Sequence, residues 1–416
     1  MAKILIHSIV FRPDGVSTAY LYADLVSELK KYGHEIVVLT STPHYNLVES
    51  DIALQPLTKR RLGLYYTSEY DGIKVYHVPM RKARRTFFRI LDFVKFHILS
   101  ICIGGTLGKF DIVLAPSPPL TIGFVAYVIA KITGGKSIYN VQEIYPDFAI
   151  NQGIFKNNQI INVLKWAEKF IYKKSAAVVV IDQKFADIIA PRVDTLEKLF
   201  VIPNFVDSNL YKPGPRQNDF SDKHNLNDKF VIAYAGNIGF AQSWESLIAA
   251  AKELSQMPVQ FMIVGNGIRK EWLESEIISN DIKNILLLDY QPRDLMPLIN
   301  VSADIHTILM SPEMDGEGFP SKIYTIMSSA KSVIISTGKN SPLSNLMNKA
   351  NYGRVVPLND KESYIQAIIQ AYKDRDILHV EGARARKFIE LNFSKEAISQ
   401  QYHNLIEQIV SKNRQK

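Results

Sequence analysis

Along this chain, short near-continuous runs of Val, Ile and Leu alternate with longer stretches whose apolar positions recur every three or four residues. The runs predict strands covered on both faces and the longer stretches predict helices, so the pattern as a whole predicts parallel α/β architecture. Strands are predicted at KILIHSIV (3–10), EIVVLTS (35–41), IKVYHV (73–78), DIVLAP (111–116), SIYNVQ (137–142), AVVVI (177–181) and FVIP (200–203). Between the first two, AYLYADLVSELKKYG (19–33) reads as a helix closed by Gly33. Residues 204–229 are polar, hold two prolines and a glycine, and read as a linker. A second series follows: FVIAYAGN (230–237), VQFMIVGNG (259–267), NILLLDY (284–290), DIHTILM (304–310), SVIIS (332–336) and RVVPL (354–358). The expected organisation is two doubly wound, Rossmann-like domains, 1–208 and 209–394. Ligands of such sheets bind beyond the carboxyl ends of the strands, so the loops after each strand are where chemistry is expected.

Length agrees with two domains, since 416 residues exceed one ordinary core. The single cysteine, Cys102, excludes a disulfide framework and a cysteine metal site. The opening MAKILIHSIVF is strand-like and no small-residue cleavage site follows it, which points to a cytoplasmic protein. A formal net charge of +8 is modest, but its distribution is uneven. Arg81, Lys82, Arg84, Arg85 and Arg89 lead into Phe87, Ile90, Leu91, Val94, Ile98 and Ile101, an amphipathic helix with a basic leader. Arg89, Asp92 and Lys95 argue against a membrane span. Two readings stay open for this segment: a solvated surface helix, or contact with an anionic membrane surface. Nucleic acid is not an expected partner, because the basic residues do not interleave with aromatics on a strand-borne face.

Several loops carry candidate chemistry. FRPDGVSTAY (11–20) puts Gly15 in a turn before a helix, and TPHYN (43–47) puts His44 and Tyr45 at a strand's carboxyl end. VQEIYPDFA (141–149) gathers Gln142, Glu143, Tyr145 and Asp147, which suit a polyol or a general base, with helix capping the alternative for Asp147. In YAGNIGFAQSWESL (234–247), Gly236 and Gly239 shape a turn that lets a phosphate approach a helix start, and VGNG (264–267) repeats the design at Gly265. The dinucleotide fingerprint and the phosphate loop of nucleotide hydrolases are both missing. So are H-E-x-x-H, a Cys/His cluster and a convincing D-x-D, and neither a metal nor a cofactor is expected.

Taken in order, KKYGHEIVVLT, PSPPLTIG, VQEIYPD, VIPNFVD, YAGNIGFAQSWESLIAAAKEL, VGNG, GFPSKIYTIMSSAKSVI and a final helix resemble the retaining glycosyltransferases of family 4, within them the bacterial enzymes of O-antigen, capsule and exopolysaccharide synthesis. The resemblance implies the GT-B fold, two Rossmann-like domains facing across a cleft, with the acceptor on the first domain and a nucleotide-sugar on the second. It also implies that the last helix, expected at 395–412, returns to the first domain. The family's Glu-x7-Glu motif falls on Glu317 and Thr325, where a second glutamate would hold the ribose. Asn237 and Gln242 stand where many members have Arg and Lys for the donor diphosphate, which leaves Lys322 as the cation, helped by the Gly239 N–H and the start of the 322–330 helix.

On that alignment Gly236, Asn237, Gly239, Gly265, Arg293, Gly318, Phe319, Pro320, Ser321 and Thr325 line the donor site. Glu317, Lys322 and Glu143 are the catalytic candidates, and Gly15, His44 and Tyr145 are acceptor-side. Gln142-Glu143 replaces the His-Asp pair of many relatives. The implied reaction is metal-independent transfer from a nucleotide-sugar, UDP-linked by preference, to a lipid-diphosphate-linked saccharide at the inner face of the plasma membrane. The alternatives are a GT-B sugar-nucleotide epimerase and a catalytically impaired assembly partner.

Overall fold

The computed structural model describes residues 1–47, 49–80, 86–151, 156–312 and 319–414. It divides into two compact units, Met1–Asn204 with Lys395–Lys416, and Phe205–Ser394. The change of unit falls at Asn204, ahead of the expected 208. The polar segment that follows is anchored within the second unit. Val206 N–H donates to the Phe393 carbonyl at 3.0 Å, and the Arg386 guanidinium donates to the Tyr211 and Ser208 carbonyls at 2.6 and 2.9 Å.

Among the described residues, the first unit has a nine-stranded sheet. Its strands are β1 (Lys3–His7), β2 (Glu35–Ser41), β3 (Thr58–Arg60), β4 (Tyr65–Tyr70), β5 (Ile73–Val78), β6 (Ile112–Pro116), β7 (Lys136–Val141), β8 (Ala177–Val180) and β9 (Leu199–Val201). They lie in the order β3-β4-β5-β2-β1-β6-β7-β8-β9, and only the β3–β4 and β4–β5 pairs are antiparallel. Those two extra strands escaped the sequence reading because β3 is fully exposed and β4, YYTSEY, has no apolar run.

The connections after β5, β6 and β7 all step toward β9, and right-handed crossovers place their helices on one face of the sheet. Phe96 and Ile103 from Thr86–Thr106, Ile122 and Ile129 from Thr121–Thr133, and Ile171 and Tyr172 from Asn158–Lys174 enter a common core with β6, β7 and β8. The step from β1 to β2 runs the other way, so helix Ser17–Lys31 covers the opposite face. There it meets helix Lys395–Arg414, with Tyr32 stacked on His403 at 4.6 Å and Lys395 Nζ 3.8 Å from Glu28.

In the second unit, β10 (Phe230–Ala235), β11 (Val259–Val264), β12 (Ile285–Leu288), β13 (Ile305–Leu309), β14 (Ser332–Ser336) and β15 (Arg354–Val356) form a parallel sheet in the order β12-β11-β10-β13-β14-β15. Successive residues of one strand feed different cores: Ile232 and Tyr234 pack with Phe261 and Ile263, whereas Val231 and Ala233 pack with Met262 and Val264. β10 is therefore apolar on both sides, which explains its unbroken apolar run.

Candidate active site

In the carboxyl-terminal unit, the turns after β10 and β11 press together backbone to backbone. A Cβ at Gly265 would lie 1.9 Å from the Gly236 carbonyl oxygen, so only glycine fits there. Gly236 N–H donates to Val264 O and Ile238 N–H to Asn266 O, both at 2.9 Å. Two buried aromatics hold the turn from beneath: the Tyr234 hydroxyl donates to Asn237 O at 2.7 Å, and Trp244 Nε1 donates to Gly239 O at 2.8 Å. Ser311 N–H donates to Ala241 O at 3.0 Å, which ties the chain just after β13 to this same turn.

Lys322 reaches the turn from the start of helix Lys322–Ser328. Its Nζ lies 3.6 Å from the centre of the Tyr234 ring and 2.8 Å from where a Cβ at Gly236 would stand. The missing side chain at Gly236 thus makes room for the ammonium, and the ring face beneath attracts it. Burial lowers the Lys322 pKa to about 7, and no acid among the described residues pairs with it.

The neighbouring groups differ from expectation in what they offer. Gly239 N–H is taken by Gln242 Oε1 at 3.3 Å. Ile323 and Tyr324 N–H groups donate to the Pro320 and Ser321 carbonyls, both at 3.1 Å, which uses amides at the helix start. The Thr325 hydroxyl turns back to donate to Lys322 O at 2.9 Å. Phe319 stacks on Tyr324 at 5.4 Å, and Tyr324 on Phe393 at 5.0 Å, anchoring the end of the loop. Pro320 is half-buried beside it, Asn237 and Ser321 are exposed, and Arg293 opens a 3-10 turn, Arg293–Leu295, beyond β12. Glu317 and Gly318 lie outside the described residues.

In the amino-terminal unit, the loops after β2, β1, β6 and β7 stand side by side in that order. Gly15 N–H donates to Tyr45 O at 3.0 Å, and a Cβ at Gly15 would meet Asn46 O at 2.4 Å. The interlock centres on Asp14, whose Oδ1 accepts the N–H groups of His44 and Tyr45, both at 2.7 Å. Burial raises the Asp14 carboxyl above the usual range despite these amides. His44 Nδ1 donates to Thr42 O at 2.9 Å, leaving Nε2 as the basic nitrogen. Asp14 Oδ2 and His44 Nε2 are both buried without a partner among the described residues.

Further along the row, the Ser117 hydroxyl donates to Glu143 O at 3.0 Å and accepts the Gln142 N–H at 2.9 Å. Burial raises the Glu143 carboxyl, and burial followed by Glu143 raises the Tyr145 hydroxyl. The Gln142 side-chain amide donates to the Asn140 and Asn204 oxygens and accepts from Asn204 Nδ2 at 2.7 Å. Asp147 is ion-paired to Arg192, which also holds Glu168 at 2.9 Å.

One group with metal-ligand side chains, His34, His403 and Glu407, occurs among the described residues. It sits just before β2, at the opposite end from these loops, and its atoms are already engaged. Ala2 N–H donates to His34 Nδ1 at 3.1 Å, so His34 Nε2 carries the proton donated to His403 Nδ1 at 2.9 Å, and Glu407 pairs with the chain's amino terminus at 3.0 Å. A ring accepting at one nitrogen and donating at the other has no lone pair left for a metal.

Residues 216–388, nearly all of the carboxyl-terminal unit, match the family model described as glycosyl transferases group 1. Over 412 residues the chain is 21% identical to the putative colanic acid biosynthesis glycosyl transferase WcaI of Escherichia coli K12, covering 97% of this chain and 99% of that protein. It is 20% identical over 300 residues to the probable glycosyltransferase WbjE of Pseudomonas aeruginosa, covering 72% and 74% of the two chains. The crystal structure of Anabaena Alr3699/HepE in complex with UDP superposes with a TM-score of 0.72 at 16% identity, covering 98% of this chain and all of that one. The chain is a GT-B glycosyltransferase.

Within each unit of this glycosyltransferase, sequence-singled residues come together. Gly236, Asn237, Gly239, Gly265 and Lys322 meet at one turn, and Gly15 and His44 interlock. Tyr234, Trp244 and Asp14 were not singled out. The two aromatics are hidden in apolar strand and helix patterns, and Asp14 looks like an ordinary turn residue in RPDG.

Proposed function

We propose that this glycosyltransferase moves a sugar, with retention of configuration, from a UDP-sugar to a lipid-diphosphate-linked saccharide in bacterial surface polysaccharide assembly, of the O-antigen, capsule or exopolysaccharide kind. The observation that carries the donor half is the Lys322 ammonium, unpaired by any described acid, at a turn whose packing requires Gly265. A diphosphate leaving group develops charge as the sugar departs, and a preorganised cation in a desolvated site stabilises that charge most. Glu317 would orient the sugar, and Glu143, with its raised pKa, would face the acceptor. The UDP complex of the structural neighbour supports the nucleotide, and the relative named for colanic acid biosynthesis supports the pathway class.

Among the described residues, no helix is long and apolar enough to cross a membrane. The proposed location is therefore peripheral, on the cytoplasmic face of the plasma membrane, through helix Thr86–Thr106. Its Ile90, Leu91, Val94 and Ile98 are exposed, while its basic leader, Arg81 to Arg85, lies outside the described residues. The test is transfer from a panel of UDP-, GDP- and dTDP-sugars to lipid-diphosphate acceptors, with donor-only controls. Product from a UDP-sugar is the expected outcome. A new nucleotide-sugar without acceptor would establish an epimerase, and no turnover with any donor would overturn the enzymatic reading.

A further inference from the structure

The three helices on one face of the amino-terminal sheet turn apolar side chains outward as well as inward. Asn158–Lys174 shows this most fully. Its inward side buries Glu168, Ile171 and Tyr172, yet Ile160, Val163 and Trp166 form a second stripe three residues apart, with Val163 63% and Trp166 66% exposed. A surface helix needs one apolar stripe for its core, and the second has no partner among the described residues outside it and its neighbouring helices. The stripe continues across to helix Thr121–Thr133. Trp166 stacks on Phe170 at 5.6 Å, and Phe170 lies 6.0 Å from the exposed Phe124. On that helix, the exposed Ile132 borders Gly105 of Thr86–Thr106, its Cγ2 lying 3.2 Å from where a Cβ at Gly105 would stand.

Charge on Asn158–Lys174 has one sign. Lys165, Lys169, Lys173 and Lys174 are exposed, and the helix's sole acid, Glu168, is buried against Arg192. Protein interfaces are depleted in lysine, and a second copy of this chain would set lysines against lysines. An anionic lipid surface accepts both features. Its phosphates attract the lysines, its acyl boundary takes Ile160 and Val163, and tryptophan favours the headgroup level between them.

We infer that helix Asn158–Lys174 is a second lipid contact, Trp166 seating at the headgroup level of an anionic bilayer on the same face as helix Thr86–Thr106. This rests on the membrane-surface reading proposed above. Two contacts on one face would fix the tilt of the amino-terminal unit against the bilayer, which a single helix free to roll cannot do.

Tryptophan emission of the full chain tests the inference. The chain has three tryptophans; Trp244 is buried, and Trp272 lies under the Arg269 guanidinium at 3.7 Å. On mixing with phosphatidylcholine–phosphatidylglycerol vesicles, the wild type should shift to the blue and be quenched by bromine-labelled acyl chains. Trp166→Phe should lose both responses while still sedimenting with the vesicles. Replacing Lys165, Lys169, Lys173 and Lys174 with Gln should weaken sedimentation at low salt at least tenfold without altering KM for the soluble donor. If the wild type sediments but its emission is unchanged, the inference is overturned and the membrane reading stands. If it does not sediment with anionic vesicles, both fall. A self-association abolished by Trp166→Ser, with no lipid response, would assign the stripe to a protein interface instead.

Discussion

The Lys322 ammonium rests 3.6 Å from the centre of the Tyr234 ring, and the hydroxyl of that same ring holds the Asn237 carbonyl. One buried tyrosine therefore sets both the proposed diphosphate cation and the turn it serves. With no acid among the described residues to offset it, burial brings the Lys322 pKa down to about 7. A lysine kept so close to neutrality is poised to be charged by the anion it binds.

Donor binding should therefore depend on pH in a defined direction. A bound diphosphate favours the charged lysine, so above about pH 7 each further pH unit costs up to about tenfold in affinity. Calorimetric titration of UDP from pH 6 to 9 checks this. Lys322→Arg, always charged, should flatten the curve, and Lys322→Ala should lower kcat by about thirtyfold or more, equivalent to at least ~2 kcal/mol. An effect of Lys322→Ala on donor KM alone would remove the catalytic role.

Stability should show the opposite sign. Between pH 7 and the ordinary lysine range, the unfolded chain binds the Lys322 proton more tightly, so stability rises with pH across that window. Lys322→Met should abolish this rise and leave the thermal midpoint near pH 7 unchanged or higher. A clear loss of midpoint would mean that the ammonium contributes to the fold.

Position 325 should matter little beside position 317. The Thr325 hydroxyl is already bonded to the Lys322 carbonyl, so Thr325→Ala should weaken UDP binding by less than about 1.5 kcal/mol with kcat nearly unchanged. Glu317→Ala should cost considerably more. Equal damage from the two would mean that Thr325 does different work and that the loop is aligned wrongly with the family motif.

Asp14 should prove structural. Removing the acceptor of two backbone N–H groups, as in Asp14→Ala, should destabilise the chain by about 2–4 kcal/mol in urea unfolding, and Asp14→Asn by less. Since the folded carboxyl titrates above its unfolded value, stability should fall as pH rises through that window. Asp14→Asn should remove this fall.

Transfer activity is expected to persist in excess EDTA, because the proposed leaving-group stabilisation uses the Lys322 ammonium. Loss of turnover on chelation, restored by magnesium or manganese, would replace that mechanism with a metal-assisted one.

The strand pattern was legible in the sequence because parallel strands are buried on both faces, so that even the alternating neighbours Val231 and Ile232 must both be apolar. The order of the loop motifs was legible for a related reason: glycines such as Gly265 are forced by backbone contact, and backbone contact leaves a residue-level mark. The resemblance placed Lys322 with the Gly236 turn, but only the tertiary structure showed that the two meet over the ring of Tyr234, a residue that reads as core. It also decided that Gln242 takes the Gly239 N–H, that Arg386 ties down a segment that reads as a linker, and that Asp14 joins two loops. These are polar contacts between distant segments, and a polar side chain in a loop looks the same in sequence whether it meets water, backbone or ligand. Apolar burial repeats with the period of the element and so is written along the chain, whereas the partner of a single hydrogen bond is chosen only when the chain has folded.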